Sequence, residues 1–333
     1  MTRTIDWDGK AVVILDQTLL PDEERRVRLD DVEQLAEAIR SLRVRGAPAL
    51  GVAGALGIAL AVRRAQADGA AIGAAADRTA EALAATRPTA VNLRWGIEQA
   101  RRAVSQGPEA VLAAALTLLE ADVRTNRAMA ERGADWLESV SHARRRPLRV
   151  LTHCNTGALA CVEVGTALGV IQVAYERGSV QEVIATETRP LLQGSRLTAW
   201  ELKRLGIPFR LVADGAAPSL IAGGRVDAVI VGADRIAANG DVANKVGTYA
   251  LALAAARSHV PFVVVAPEST RDPTTATGLE IPIEERDERE VLSFGGRPVA
   301  PEGARALNPA FDVTPADLVT AIITESRVIT IDG

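Results

Sequence analysis

The chain has 333 residues, of which 48% are hydrophobic, 24% charged and 3% aromatic, and its formal net charge is −4. This length and composition are typical of a globular protein of two domains, and the net negative charge argues against nucleic-acid binding. Three histidines are too few for a His-rich metal site, and the two cysteines lack the spacing of a zinc or disulfide framework. The free cysteines and the polar N-terminus, which has no signal-peptide pattern, predict a cytoplasmic protein.

The first part of the chain predicts a small β element followed by helices. Two short strands are expected at 12–15 and 26–29, and Asp30-Asp31 is placed to cap the first helix. Further helices are predicted at 70–85, 95–105 and 108–140. Together these elements form the first predicted domain, residues 1–145.

An uncharged run at 46–62 is almost long enough to suggest a membrane-spanning helix. Its Gly and Ala content, Pro48 near its start and its lack of aromatic flanks favour a buried helix instead, so no membrane association is expected. Gly51, Gly54 and Gly57 recur every three residues and give this helix a stripe for close packing. They do not form the glycine pattern of a dinucleotide-binding loop.

Strands and helices alternate after residue 146, which predicts βαβ units and a parallel sheet. Strands are expected at 148–152, 182–186, 209–212, 228–231, 262–265 and 328–331. Helices are expected at 157–177, 197–205, 219–223 and 246–256. Residues 267–312, rich in Pro, Gly and charge, are predicted to be an irregular excursion over the sheet edge. The fold class is α/β, a small N-terminal β element and helical domain followed by a C-terminal Rossmann-like domain, 146–333, with helices on both faces of its parallel sheet.

Asp234 comes directly after the strand expected at 228–231, at the end of the strand where open α/β sheets bind ligands. Asn244 and Lys245 follow, and are placed at the mouth of the next helix, where free backbone N–H groups favour an anion. This stretch therefore predicts a ligand site with a carboxyl group and a bound anion. The alternative is that Asp234 only pairs with Arg235 and caps a turn.

Cys154 follows the strand expected at 148–152. The helix predicted from Gly157 would favour its thiolate through the helix dipole, which predicts a reactive cysteine. The alternative is a buried inert thiol, which is how we interpret Cys161, expected inside that helix on an apolar face.

The loop at 187–196 contains two arginines, Gln193 and a serine, which suit a phosphorylated or polyhydroxylated ligand, unless the loop is merely solvated. Because the carboxyl ends of parallel strands share one edge, Cys154, Gln193 and Asp234 are expected to line one cleft. The sequence has no Walker loop, no Ser–His–Asp order and no HExxH helix. Acid–base or covalent catalysis by a thiol and a carboxyl group, without cofactor or metal, is the chemistry that remains.

The motifs resemble those of the 5-methylthioribose-1-phosphate isomerase family of methionine salvage, which is related in fold to regulatory subunits of the eukaryotic translation-initiation exchange factor. The stretches that carry the resemblance are Arg45–Pro48, Arg87–Asn92, Thr152–Gly157, Glu187–Gly194, Gly232–Asp241, Asn244–Gly247, Ile281–Arg286 and Asn308–Pro315. They span nearly the whole chain. One departure is Thr186, where the family often has an acidic residue.

The resemblance implies a cofactor-independent enzyme that converts 5-methylthio-α-D-ribose 1-phosphate to 5-methylthio-D-ribulose 1-phosphate, usually as a homodimer. Cys154 and Asp234 would be the catalytic pair. The residues that would bind the substrate are Arg45, Gly46, Ala47, Arg87, Gln193, Asn244 and Lys245. In this chemistry an acid must protonate the ring oxygen, which suits Asp234 if its site raises its pKa.

Two questions stay open at the level of sequence. The hydrogen moves from C2 to C1 either through an enediol-type intermediate with Cys154 as base, or as a hydride in a water-poor cleft. The function also has two rivals: a non-catalytic regulatory homologue, and an isomerase of another sugar phosphate such as 5-deoxyribose 1-phosphate or ribose 1,5-bisphosphate.

Overall fold

The computed structural model describes residues 3–331, and its first core is built on a small antiparallel sheet. The sheet contains β1 (Ile5–Trp7), β2 (Val12–Leu15) and β3 (Arg26–Leu29), in that order. Five helices pack beside it: α1 (Val32–Arg40), α2 (Ala47–Ala67), α3 (Ile72–Ala84), α4 (Val91–Arg101) and α5 (Pro108–Arg144). The strand β1 was not predicted, because three residues are too few to show an alternating pattern.

Helix α2 is the central helix of this first core. It is long and apolar enough to cross a bilayer, but 72% of its most apolar stretch is buried inside the protein. A Cβ added at Gly54 would lie 2.8 Å from the Leu93 carbonyl oxygen in α4, and one at Gly57 would lie 2.5 Å from the Leu83 side chain in α3. The glycine stripe is therefore a packing surface, as predicted.

Helix α5 joins the two cores of the molecule. Val111 and Leu119 lie in the first core, whereas Ala134 and Leu137, further along the helix, pack in the second. Just after the helix, Arg146 binds the buried carboxylate of Asp227 at 2.7 Å. Arg144 pairs with the same carboxylate at 3.2 Å. The basic run 144–146, which its composition suggests is a solvated loop, therefore anchors the connection between the cores.

The second core contains a seven-stranded sheet. Its strands, in spatial order, are β16 (Val328–Thr330), β15 (Ala321–Ile323), β10 (Phe262–Val265), β7 (Ala228–Val231), β4 (Leu148–Thr152), β5 (Val180–Thr186) and β6 (Phe209–Val212). All pairs are parallel except β15 with β16. Helices α5, α6 (Ala167–Glu176) and α7 (Ala199–Leu205) cover one face, and α8 (Ala217–Ala222) and α9 (Thr248–Arg257) cover the other.

The helix predicted at 157–177 is wrong in its first half. After β4 the chain forms an irregular loop, 153–166, with a single 3₁₀ turn at Ala158–Ala160, and α6 begins only at Ala167. A bridge pairs Gly157 with Gly165, which folds the loop back on itself. Gly165 has φ +96°, and a Cβ there would lie 2.4 Å from the Gly157 backbone, so this turn requires glycine.

A third sheet, absent from the predicted elements, lies beside the carboxyl ends of the strands of the seven-stranded sheet. Its order is β11 (Arg271–Asp272), β8 (Arg235–Ala237), β9 (Val242–Lys245) and β14 (Phe311–Thr314). The 267–312 excursion also contains α10 (Arg289–Leu292), the hairpin of β12 (Ser293–Phe294) and β13 (Arg297–Pro298), and 3₁₀ turns at Glu268–Thr270 and Gly278–Glu280.

Asn244 and Lys245 lie just before α9, as predicted, but the start of that helix is not open to an anion. Both belong to β9, where Asn244 pairs with Asp312 of β14. The carboxylate of Asp312 accepts the backbone N–H groups of Gly247 at 2.7 Å and Tyr249 at 3.1 Å. A protein carboxylate therefore occupies the positive end of α9, and no substrate anion is needed there.

Candidate active site

A cleft lies between the two cores, at the carboxyl ends of β4, β5 and β7. The first turn of α2 and the 87–91 segment line it on one side, and residues 281–286 and 310–311 line it on another. All nine residues that the sequence analysis selected line this cleft: Arg45, Gly46, Ala47, Arg87, Cys154, Gln193, Asp234, Asn244 and Lys245.

Cys154 occupies a strained turn directly after β4. Its φ of +64° lies in the left-handed region, which is costly for a residue with a side chain and is found mainly at functional sites. Two threonines hold this conformation: the Thr188 hydroxyl accepts the Cys154 N–H at 3.0 Å, and the Thr198 hydroxyl donates to the Cys154 carbonyl at 2.5 Å. The thiol belongs to a residue that is only 8% exposed.

The helix-dipole argument for Cys154 is wrong, because α6 starts well beyond it, at Ala167. The cation that acts on the thiol is instead Lys245. Burial lowers the pKa of Lys245 below its ordinary value, while Cys154 and Asp234 act in the opposite direction. A lysine ammonium that lines the same cleft as a thiol and a carboxyl group favours a negative charge on either of them.

Asp234 follows β7 and is held by its own backbone N–H, which donates to the Ala243 carbonyl at 2.9 Å. Burial raises the pKa of its carboxyl group above the ordinary value, against the opposing charges of Lys245, Arg87 and Arg45. Among residues 3–331 no donor hydrogen-bonds this carboxyl group. It is therefore an acid with a raised pKa whose oxygens are available to a ligand.

Arg235 does not pair with Asp234. Its guanidinium donates to the Thr89 carbonyl at 2.8 Å and lies 3.6 Å from the Asp272 carboxylate. The alternative in which Asp234 merely forms a local ion pair is thus excluded. Arg235 instead holds the 87–91 segment, which carries Arg87.

The cleft is rich in cations. Arg45 donates to the side chain and the carbonyl of Asn155, at 2.5 and 2.8 Å. Arg87 pairs with Glu284 at 3.2 Å, and its Nε is buried without a partner in the described part of the chain. The Lys245 ammonium donates to the Ala310 carbonyl at 2.9 Å and lies 4.9 Å from the Phe311 ring centroid. Three cations from both cores thus converge on one space, which suits a phosphate.

The first turn of α2 also faces the cleft. Gly46 is its N-cap, with φ +94°, and a Cβ there would lie 2.4 Å from the Ala160 backbone. Only glycine therefore lets the start of α2 approach the 153–166 loop so closely. The N–H groups of a first helical turn have no partner within the helix, so this end of α2 is a second feature that favours an anion.

Two amides complete the polar lining. Gln193 is 7% exposed, and its Oε1 has no hydrogen-bond partner within residues 3–331. Asn244 donates to the Thr248 hydroxyl at 3.0 Å. A buried amide oxygen without a partner carries a desolvation cost that a ligand hydroxyl would relieve.

His153, next to Cys154, is buried and links three segments. Its Nδ1 lies 2.6 Å from the Thr186 hydroxyl and its Nε2 lies 2.9 Å from the Val246 carbonyl. Burial lowers the pKa of His153, and a carbonyl can only accept, so the neutral ring donates from Nε2 and accepts from Thr186 at Nδ1. Thr186, the departure from the family pattern, thus has a defined partner.

Several other residues that line the cleft were not predicted from the sequence. Asn155 belongs to the Thr152–Gly157 motif and Arg286 belongs to the Ile281–Arg286 motif, so those stretches contained a signal. Ile281 and Phe311 also lie in stretches that carry the resemblance, but no local pattern indicated that their apolar side chains line the cleft. Their position depends on the pairing of β14 with β9.

A family model fits this fold and cleft. The model of the initiation factor 2 subunit family matches residues 43–330. The chain belongs to this family. The family resemblance and the α/β fold class inferred from the sequence are thereby confirmed.

Curated relatives are similar over nearly all of this chain. It is 51% identical over 331 residues to a methylthioribose-1-phosphate isomerase from Thioalkalivibrio sulfidiphilus, with 98% of this chain and 93% of the relative covered. A 5-deoxyribose 1-phosphate isomerase from Moorella thermoacetica is 50% identical, with the same coverage. A probable bifunctional methylthioribose-1-phosphate isomerase/methylthioribulose-1-phosphate dehydratase from Nocardia farcinica is 54% identical over 98% of this chain, which spans 59% of that longer protein.

Two solved structures are similar in fold and sequence. The 5-methylthioribose 1-phosphate isomerase from Pyrococcus horikoshii OT3 superposes with a TM-score of 0.87 and 40% identity, covering 99% of this chain and 93% of that one. The translation initiation factor eIF-2B subunit delta from A. fulgidus superposes with a TM-score of 0.85 and 46% identity, covering 99% and 96%.

Proposed function

We propose that this protein is an aldose–ketose isomerase that converts 5-methylthio-α-D-ribose 1-phosphate to 5-methylthio-D-ribulose 1-phosphate in methionine salvage, without cofactor or metal. The observation that carries this proposal is the meeting of Cys154 and Asp234 with three cations in one cleft. An isomerase relative that is 51% identical to this chain, with 93% of the relative's length covered, supports the proposal.

The first step is the opening of the sugar ring. The 1-phosphate keeps the sugar as a cyclic acetal, so the C1–O4 bond must break before any hydrogen moves. Asp234, whose pKa is raised by burial, donates its proton to O4 while that bond breaks. The Asp234 carboxylate that remains is stabilised by Lys245, whose ammonium acts on it.

The second step moves a hydrogen from C2 to C1, and two routes remain. In the proton route, Cys154 as thiolate removes the C2 proton, the electron pair forms a C1=C2 double bond, and C1 then takes a proton as the C2 hydroxyl becomes the ketone. In the hydride route, hydrogen passes directly from C2 to C1 and the C2 hydroxyl loses its proton. Reaction in deuterium oxide distinguishes them, because only the proton route introduces solvent deuterium at C1.

The substrate is held at its phosphate and its hydroxyls. Arg45, Arg87 and Lys245, with the first turn of α2, bind the phosphate. Gln193 and Asn244 bind hydroxyl groups of the sugar. Gly46 and Ala47 contribute through the helix start, where the backbone approaches the ligand.

The test is turnover by the purified protein. We expect the purified protein to form ketose 1-phosphate from 5-methylthioribose 1-phosphate, and phosphorus NMR measures this conversion. The rate of the conversion should be the same in the presence of EDTA. Binding without turnover would instead identify a non-catalytic homologue, and a rate that EDTA removes and a divalent ion restores would contradict metal independence.

A second candidate substrate is 5-deoxyribose 1-phosphate, because a relative of similar identity carries that name. The two substrates differ only in the group on C5, so the ratio of their kcat/KM values decides between them. We expect the methylthio compound to have the higher value, and ribose 1,5-bisphosphate to have the lowest. We also propose that the enzyme works as a homodimer in the cytoplasm, which follows from the family resemblance.

A further inference from the structure

Glu201 is a buried carboxylate that the proposed chemistry does not use. It lies on α7, is 1% exposed, and does not line the cleft. Its oxygens accept the backbone N–H of Ala158 at 2.8 Å and of Leu159 at 3.1 Å, together with the side-chain amide of Asn155 at 3.0 Å. Burying a charged group costs free energy, so we ask what a buried carboxylate with three hydrogen-bond donors contributes to the protein.

The Glu201 carboxylate is linked to Arg45 in the cleft by hydrogen bonds through Asn155. The Asn155 amide nitrogen donates to Glu201, so its Oδ1 must point the other way, where it accepts from Nη1 of Arg45 at 2.5 Å. The Asn155 carbonyl accepts from Nη2 of Arg45 at 2.8 Å. Two acceptors on Asn155 therefore hydrogen-bond the two terminal nitrogens of the Arg45 guanidinium. Three of its five N–H groups remain available to a ligand.

We propose that Glu201 is a positioning residue that, through Asn155, holds Arg45 in the orientation that binds the phosphate of the substrate. This rests on the proposed function for the identity of the ligand. The Asn155 amide nitrogen donates to Glu201 at 3.0 Å and to the Thr198 hydroxyl at 3.3 Å, so Glu201 is the closer of the two acceptors that fix which end of the amide faces Arg45. Without Glu201 only the longer Thr198 contact opposes a turn of the NH₂ group toward the guanidinium. Two donors would then face each other. Arg45 would lose its hydrogen bond to Asn155 Oδ1, and its guanidinium would no longer be held in one orientation.

The substitution Glu201→Gln weakens this arrangement, because glutamine keeps the shape but has one accepting oxygen where the carboxylate has two, so one of the three donors then faces an NH₂ group. We expect KM for the sugar phosphate and the Kd for inorganic phosphate to rise roughly 10-fold, the usual loss for a charge-assisted contact. The value of kcat should change little, since phosphate binding serves ground and transition state alike. Inorganic phosphate binding is measured by calorimetry, so it reports on Arg45 even if the protein fails to turn over the sugar phosphate.

A double-mutant cycle with Arg45→Ala shows whether Glu201 acts through Arg45. In the Arg45→Ala background, Glu201→Gln should raise neither KM nor the phosphate Kd further. Asn155→Ala breaks the same chain while leaving the Ala158 and Leu159 contacts of Glu201 intact. It should therefore reproduce the loss even if Glu201→Gln folds poorly.

Asp122→Asn is the matched control. Asp122 also accepts a backbone N–H from this region, that of Val162 at 2.8 Å, but does not contact Asn155 or Arg45. It should lower the melting temperature and leave the phosphate Kd unchanged. The proposal is overturned if Glu201→Gln or Asn155→Ala leaves the phosphate Kd unchanged, or if Glu201→Gln raises it equally with and without Arg45.

Discussion

Cys154 and Cys161 stand close together in the sequence, yet their thiols have different surroundings. Cys161 is fully buried and lies 3.4 Å from the Asn126 side-chain oxygen, in the irregular loop and not in a helix as predicted. Burial raises the pKa of Cys161 well above its ordinary value, and the charges of Asp122 and Glu201 add to this. Cys154 lines the cleft beside Lys245.

We therefore predict that iodoacetamide modifies Cys154 before Cys161, because only a thiolate reacts, burial raises the pKa of Cys161, and Cys154 lines the cleft. Mass spectrometry of peptides after timed labelling measures the two rates. Sugar phosphate should protect Cys154, and the Cys154→Ala variant should label slowly at Cys161. Equal labelling of both cysteines, without protection, would contradict the assignment.

Asp234→Asn should bind the sugar phosphate about as well as the parent, while kcat falls by roughly 10²–10⁴, the usual worth of general acid–base catalysis. Asparagine keeps the shape but cannot transfer a proton. Because the active form of Asp234 is protonated and burial raises its pKa, kcat of the parent should fall as pH rises through that pKa. The exposed Asp317 provides the control Asp317→Asn, which should change neither kcat nor its pH profile. A variant at Asp234 that retains turnover would make it a structural residue.

At the scale of elements, the start of α2 depends on one glycine. We predict that Gly46→Ala lowers the free energy of unfolding by roughly 1–3 kcal/mol, since φ is +94° and a Cβ would collide with Ala160. Because α2 must then move away from the loop that carries Cys154, KM should rise as well.

The control for this prediction is Gly73→Ala. Gly73 lies in α3 with open space around its Cα, so alanine there should stabilise the protein by about 0.5–1 kcal/mol. Chemical denaturation measures both variants. A Gly46→Ala protein as stable as the parent, with unchanged KM, would show that the close approach to Ala160 is dispensable.

Elements with a strong local pattern were predictable, and those fixed by distant partners were not. The strands β4, β6, β7 and β10 are apolar runs whose predicted limits agree with the structure. The loop at 153–166 contains Ala and Leu, which favour a helix, but Glu201 and the Gly157–Gly165 bridge impose another path. The strand β9 pairs with β14, far along the chain, and nothing local indicates that pairing.

The candidate site shows the same division. Cys154 and Asp234 follow buried strands, so their meeting at one sheet edge was inferred from the sequence. Glu201 and Asp312 had no such signal, since each acts on backbone or side chains from another element. The positions of the predicted residues in the cleft are as expected, whereas the physical reasons given for Cys154 and Lys245, both based on helix ends, were wrong.

At the scale of the molecule, the cleft requires both cores. Arg45 and Arg87 come from the first core, and Cys154, Asp234 and Lys245 come from the second. The ion pair of Arg87 with Glu284, which is largely shielded from solvent, crosses the gap. Substrate binding should therefore stabilise the two cores together, and not the second core alone.

The last prediction concerns the assembly of the whole chain. The 267–312 excursion exposes large apolar side chains, with Leu279 97% exposed and Leu307 88% exposed, and α9 exposes Tyr249 and Leu253 one turn apart. Large apolar side chains on the surface can be buried against a second copy of the chain, and the family resemblance implies a homodimer. We predict a homodimer, so light scattering at micromolar concentration should give twice the 35.1 kDa mass of the chain. The mass should stay constant on moderate dilution, since an obligate dimer buries a large interface. A mass of one chain at that concentration would refute the prediction, and the exposed leucines would then need another explanation.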